Sequence, residues 1–404
     1  MTNGSEILTP QRMDELLAVY RDGLLHDTLP FWFPGCVDRE HGGFFTAFDR
    51  DGTLVDDDKG MWAQGRIAWL MGELYSTVEP RAEWLELCQH GVDFIRQHGF
   101  DADGRMFFQL TRDGRPVRKR RYVFTETFGV IALAAYARAT GDERARQQAV
   151  DLFNLTERYW NTPGLIPPKV NPEVRPSRGI GVPMIMIVTS QILRDVVDDP
   201  ETYSAKIDGY IEQIVRYHMK PELQVVMETV APDGGIIDHF DGRMLNPGHA
   251  IEAGWFILQE AKYRGNDPAL IKLGCTIIDW MWQWGWDEEY GGILYFRDVK
   301  RHPVQEYWHD MKFWWPQNEA IIATLMAHQL TGDEKYARWH QMIHDWSYAR
   351  FPDPEFGEWF GYLHRDGRVS STLKGNLWKG PFHMPRMQLV CWKILEEMRG
   401  GDRD

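Results

Sequence analysis

Apolar positions along the chain alternate between two regimes. In the first, stretches such as 81–99 (RAEWLELCQHGVDFIRQHG) and 333–351 (DEKYARWHQMIHDWSYARF) carry apolar residues at spacings of three and four, with charges between them. That period predicts amphipathic helices lying half-exposed on an outer surface. In the second, the stretches 61–75, 123–139, 182–193, 248–263, 313–330 and 384–398 are apolar nearly all round. Helices of that kind are buried, so these read as an inner set.

Glycine-centred segments separate the helices: 41–52 (HGGFFTAFDRDG), 101–114, 232–242, 290–300 and 356–367, with a proline-rich variant at 161–181. Several alternate apolar and polar residues around a D-G turn and predict β-hairpins. The unit of outer helix, hairpin and inner helix recurs six times at a period of roughly sixty residues, the mark of a repeat architecture. The expected fold is all-α: an (α/α)6 barrel of twelve helices in two concentric rings, a single domain over 1–404, with short β-hairpins at one rim. All inner helices then run in one direction, so their N-terminal ends and the hairpins surround one cavity, where a ligand is expected.

Composition narrows the ligand. The chain of 404 residues has 45 Lys and Arg against 59 Asp and Glu, a formal charge of −14. That balance argues against nucleic acid and against an anionic membrane surface. Four cysteines, Cys36, Cys88, Cys275 and Cys391, lie far apart and read as reduced thiols. With no signal-like start and no apolar run long enough for a span, a cytoplasmic protein is expected.

The rim positions carry the candidate chemistry: Arg66, Glu126, His249, Glu252, Glu319 and His383. His249 and Glu252 stand three apart, so on a helix they share a face and can hydrogen-bond, fixing the imidazole tautomer and raising its basicity. Arg66 lies between Trp62 and Trp69 on an apolar helix, where a charge needs a partner or a polar cavity. Glu319 follows a proline suited to a first helical turn. His383, in WKGPFHMPRM, could equally cap or pack; its claim rests on the same rim as His249. Trp62, Trp308 and Trp315 are candidates for stacking on a sugar ring. No phosphate loop, H-E-x-x-H or nucleophile elbow occurs.

The segments EHGGFFTAFDRDG, MWAQGR, NPGHAIEAGWFIL, KFWWPQNEA, FGEWFGYLHRDGRV and KGPFHMPR resemble the signature segments of the N-acylglucosamine 2-epimerases, whose animal members are also called renin-binding proteins. The resemblance runs from about residue 30 to 395. It implies a homodimeric (α/α)6 barrel that interconverts sugars epimeric at C2, typically N-acetylglucosamine and N-acetylmannosamine. It further implies that Arg66, His249, Glu319 and His383 are catalytic, that Glu252 supports His249, and that ATP is a candidate allosteric activator. Relatives act on cellobiose or free mannose, by epimerisation or aldose–ketose isomerisation. Inverting C2 of an open-chain aldose calls for two groups on opposite faces of an enediolate, with Arg66 on the oxyanion; His249 and His383 suit those roles, and no metal or redox cofactor is required. A glycoside hydrolase using Glu252 and Glu319, a non-catalytic binding protein and a metal site of His249, Glu252 and Glu319 are the competing readings.

Overall fold

The computed structural model describes residues 7–401. It is mainly helical, and its contacts group the chain into two compact units. One comprises Trp32–Val215 with Leu373–Phe382; the other comprises Met1–Phe31, Arg216–Thr372 and His383–Asp404.

In the first unit the buried helices are Met61–Thr77, Phe124–Thr140 and Gly181–Arg194, each packed against the amphipathic helix that follows it: Ala82–His98, Glu143–Asn161 and Pro200–Gln213. In the second they are Pro247–Tyr263, Trp314–Thr331 and His383–Gly401, packed respectively against Pro268–Gly285, Glu334–Tyr348 and Pro10–Gly23. These match the expected elements to within a few residues at each end. Local chemistry sets the boundaries. Asp142, Asp267 and Asp333 cap outer helices by accepting backbone N–H bonds, and Gly141 and Gly332 end inner helices in the left-handed conformation. Inner helices approach closely: a Cβ on Gly65 would stand 2.3 Å from the Phe128 carbonyl oxygen, so glycine sets that helix separation.

The rim strands depart from expectation. Segments 41–52 and 101–114 do open hairpins, pairing 47–48 with 54–56 and 109–110 with 116–118. Segment 232–242 instead ends in a short helix, Phe240–Arg243. The strands at 297–298 and 362–363 pair with 244–245 and 312–313, the residues that lead into the inner helices of the preceding repeats. Lys59–Gly60 likewise pairs with 109–110. Two-residue strands show no period of their own, so the rim ties neighbouring repeats together where sequence pattern indicated self-contained hairpins.

A buried ion cluster pins each of two such junctions. Lys312 is fully buried; its ammonium donates to Asp287 Oδ2 at 2.9 Å and to the carbonyls of Gly291 and Gly292 at 2.7 and 3.2 Å. Arg365 adds a two-pronged bond to Asp287 at 2.8 and 2.9 Å, and Gln317 bonds both the N–H and the C=O of Ile293. The other unit repeats this design: Lys59 donates to Asp38 at 2.8 Å and to Gly42 O, Arg112 joins Asp38, and Gln64 bonds Phe44. Gly291, at φ +74°, makes the turn that presents its carbonyl to the ammonium. Burial would raise the Asp287 pKa, but Arg365 and Lys312 outweigh it and hold the carboxyl well below its usual range. Burial pushes Lys312 down to about 8 even beside that carboxylate.

Asp287→Ala removes the counter-charge and should cost roughly 3–5 kcal/mol in chemical denaturation. Asp366→Ala, which removes an exposed pair with Arg368 and one bond from the Arg368 backbone N–H, should cost no more than about 1 kcal/mol.

Candidate active site

His249 sits in the first turn of Pro247–Tyr263. Asn246 caps this helix through its side-chain oxygen, which accepts the His249 N–H at 3.2 Å, and Pro247 occupies the first turn, where its missing N–H costs nothing. The imidazole is thereby aimed at Glu228: Nδ1 lies 3.1 and 3.2 Å from the two carboxylate oxygens. A carboxylate accepts, so Nδ1 carries the proton and Nε2 is left for chemistry. Burial opposes a charged ring, but Glu228 above all, then Glu252 and Glu319, raise the His249 pKa above its ordinary value.

His383 opens the helix His383–Gly401 and is buried. Its Nδ1 donates to Glu319 Oε1 at 2.7 Å, the bond that orients the ring. Glu319 is wholly buried; its second oxygen accepts the Trp255 indole N–H at 2.8 Å. Arg386 Nη2 donates to the same Glu319 Oε1 at 2.7 Å and to Glu252 Oε1 at 2.6 Å. Trp315 lies against both imidazoles, with ring centroids 5.0 Å from His249 and 5.8 Å from His383. The two imidazoles thus belong to one cluster around a single indole.

Of the sequence candidates, His249, Glu252, Glu319, His383 and Trp315 come together here. Glu252 does not hydrogen-bond His249 as the spacing suggested: its carboxylate binds Arg386, and Glu228 is the partner of His249. The Glu228 bond joins residues 21 positions apart, a distance at which no periodicity speaks. Arg386 was legible: it follows His383 by three on one helix, the same spacing that singled out His249 and Glu252.

The other candidates have different surroundings. Arg66, in the other unit, stacks its guanidinium on Phe128 and Phe382, with centroids at 4.2 and 4.6 Å, and on Trp62 at 5.3 Å. With Ala63, Ile67, Trp378, Pro381 and Phe382 it lines a small recess partly open to solvent. The Trp62 indole N–H donates to Thr125 Oγ1 at 3.0 Å. Glu126 is structural, buried against Arg105 and the Met106 N–H. Trp308, half-buried, packs edge-on against the exposed Tyr307. Glu252, Glu319 and His383 offer ligand atoms within 4.8 Å of one another, a spacing compatible with a metal ion. The Arg386 guanidinium already supplies the cation that both carboxylates bind.

The helical fold of paired inner and outer helices is shared with sugar-converting enzymes of known structure. Cellobiose 2-epimerase from Bacillus thermoamylovorans superposes with a TM-score of 0.82 at 22% identity, covering 95% of this chain and 100% of that one. A D-mannose isomerase superposes at 0.77 and 19% identity, covering 98% and 100%. The model of the N-acylglucosamine 2-epimerase (GlcNAc 2-epimerase) family matches residues 43–383, and the chain belongs to that family. N-acylglucosamine 2-epimerase from Bos taurus is 36% identical over 96% of this chain and 94% of its own length. The Homo sapiens protein of that name is 35% identical over 93% and 88%. Among the described residues, no helix is long and apolar enough to cross a membrane.

Glu228→Gln should drop the His249 pKa by about one unit or more, since burial would then act with less opposition; 15N NMR of the imidazole measures it. In the parent, the raised folded-state value stabilises the protein fully below about pH 6.5, a contribution lost as pH climbs through that value. The stability gap between parent and variant should therefore narrow towards alkaline pH.

Proposed function

We infer that the protein is an N-acylglucosamine 2-epimerase, an isomerase that interconverts N-acetylglucosamine and N-acetylmannosamine. The observation that carries the chemistry is the pair of imidazoles beside Trp315, each with Nδ1 held by a carboxylate. The sugar reacts as its open-chain aldehyde. One Nε2 removes the C2 proton, the C2–H electron pair moves into the aldehyde to give an enolate planar at C2, and the other imidazolium returns a proton to C2 from the opposite face. Glu228 and Glu319 orient the two rings, and Arg66 stabilises the developing oxyanion. Trp315, Trp62 and Trp308 serve the sugar's apolar faces, and Glu252 contributes charge. The step moves a proton without net electron transfer, so it calls for no redox cofactor; ATP stands as an allosteric ligand.

Three helix pairs in each unit support closure into a six-pair (α/α)6 barrel that forms one catalytic domain. The resemblance to the family supports a homodimer, and the sequence supports a cytoplasmic location. An inverting hydrolase is disfavoured, because the nearest oxygens of Glu252 and Glu319 lie within 4.8 Å, inside the roughly 6.5–9.5 Å that mechanism leaves for water.

His249→Asn and His383→Asn should each lower epimerisation about 10²- to 10⁴-fold with the fold intact. In D2O each variant should still exchange the C2 proton of one epimer, and of opposite epimers, without inverting it. Equal exchange of both epimers by either variant would overturn the two-base assignment. Comparing N-acetylmannosamine, mannose and cellobiose side by side tests the substrate.

A further inference from the structure

Glu319 has a second neighbour that the reaction as written does not use. Arg386 Nη2 bridges Glu319 and Glu252 at 2.7 and 2.6 Å, all three side chains being buried. The Glu319 oxygen that Arg386 binds is also the one that holds His383 Nδ1. The second Glu319 oxygen is tied to Trp255, so the carboxylate cannot rotate away from either partner without losing that bond. The charged groups facing His383 come from three helices: Glu252 from Pro247–Tyr263, Glu319 from Trp314–Thr331, and Arg386 from its own helix. His249 with its Glu228 lies across Trp315.

Charge in this cluster does not cancel. Two carboxylates and one guanidinium leave a single net negative charge, which protonation of His383 neutralises. A carboxylate within 4.8 Å of the ring, taken out of water, is close enough to move its proton affinity substantially. Glu252 makes the cluster one charge more negative, and Arg386 makes it one charge less.

We propose that Arg386 and Glu252 are positioning residues that set the basicity of His383, Arg386 lowering it both through Glu319 and directly across the 3.3 Å to His383 Nδ1, and Glu252 raising it through its charge on Arg386. This rests on the reading of His383 as a proton-transfer group, and it gives Glu252 a role through Arg386 where the sequence had it supporting His249. The two residues act with opposite sign, which a purely structural role does not produce.

The test combines the pH profile of kcat/KM for N-acetylmannosamine with 15N NMR of histidine-labelled protein, the His383 signal being assigned by its absence in His383→Asn. Glu252→Gln should move the His383 titration down by about one pH unit or more, and Arg386→Met should move it up by a similar amount. The double variant restores a single net negative charge and should titrate near the parent. If Arg386→Met fails to fold, Glu252→Gln and the double variant still provide the downward shift and its reversal. Shifts of the same sign, or an unmoved His383 titration in Glu252→Gln, overturn the proposal. A parent that turns over none of the sugars would instead sink the functional reading, and the NMR titration would still report on the charge network.

Discussion

A cation with no water to dissolve in organises each half of this protein. Lys312 and Lys59 lie fully buried, and each is kept charged by one carboxylate and by backbone carbonyls of a glycine-containing turn. The carboxylate is shared with an arginine from the next repeat, Arg365 or Arg112, so the buried charge couples two repeats as well as two loop ends. Burying an ion costs far more than a surface pair returns, and such a cluster holds only in one geometry. Each lysine is also part of a strand that pairs with the next repeat, and an inner helix starts within two residues of it. Gln317 and Gln64, each five residues past its lysine, extend the same junction into the helix.

The residues proposed for proton transfer stand near the starts of three inner helices. Glu319 lies two residues beyond Gln317, on a helix packed against both of its inner neighbours in the same unit. A proton-transfer site needs rings that do not swivel and carboxylates that do not acquire water, and Trp255, Arg386 and Trp315 supply both constraints. The two histidines are held alike but not equivalently. Glu228 faces a partly exposed His249, whereas Glu319 divides its charge between His383 and a guanidinium.

Inner helices were legible in the sequence because a run apolar on every side admits few other readings, and the observed bounds follow those runs closely. His249, Glu319 and His383 were legible because each interrupts such a run near its start. What escaped were relations across the chain. Glu228 carries no local signal, and rim strands of two residues have no period from which to read a partner. The H-x-x-E spacing was read correctly as one helical face, yet proximity on a face did not decide the bond: a guanidinium arriving from another helix competed for Glu252. The same spacing between His383 and Arg386 held equal information and was not used.

The paired lysine clusters also separate what must stay constant from what can drift. The ammonium grips the glycine turn where each rim loop begins, and the lysine itself stands where that loop ends. The intervening stretch differs in length, with glycine and lysine 17 residues apart in one unit and 21 in the other. A loop clamped at both ends can be lengthened or exchanged at little cost to the frame. Diversification of each rim loop can therefore proceed by insertion, as in a binding loop grafted between fixed anchor points, while the helices beneath keep their register.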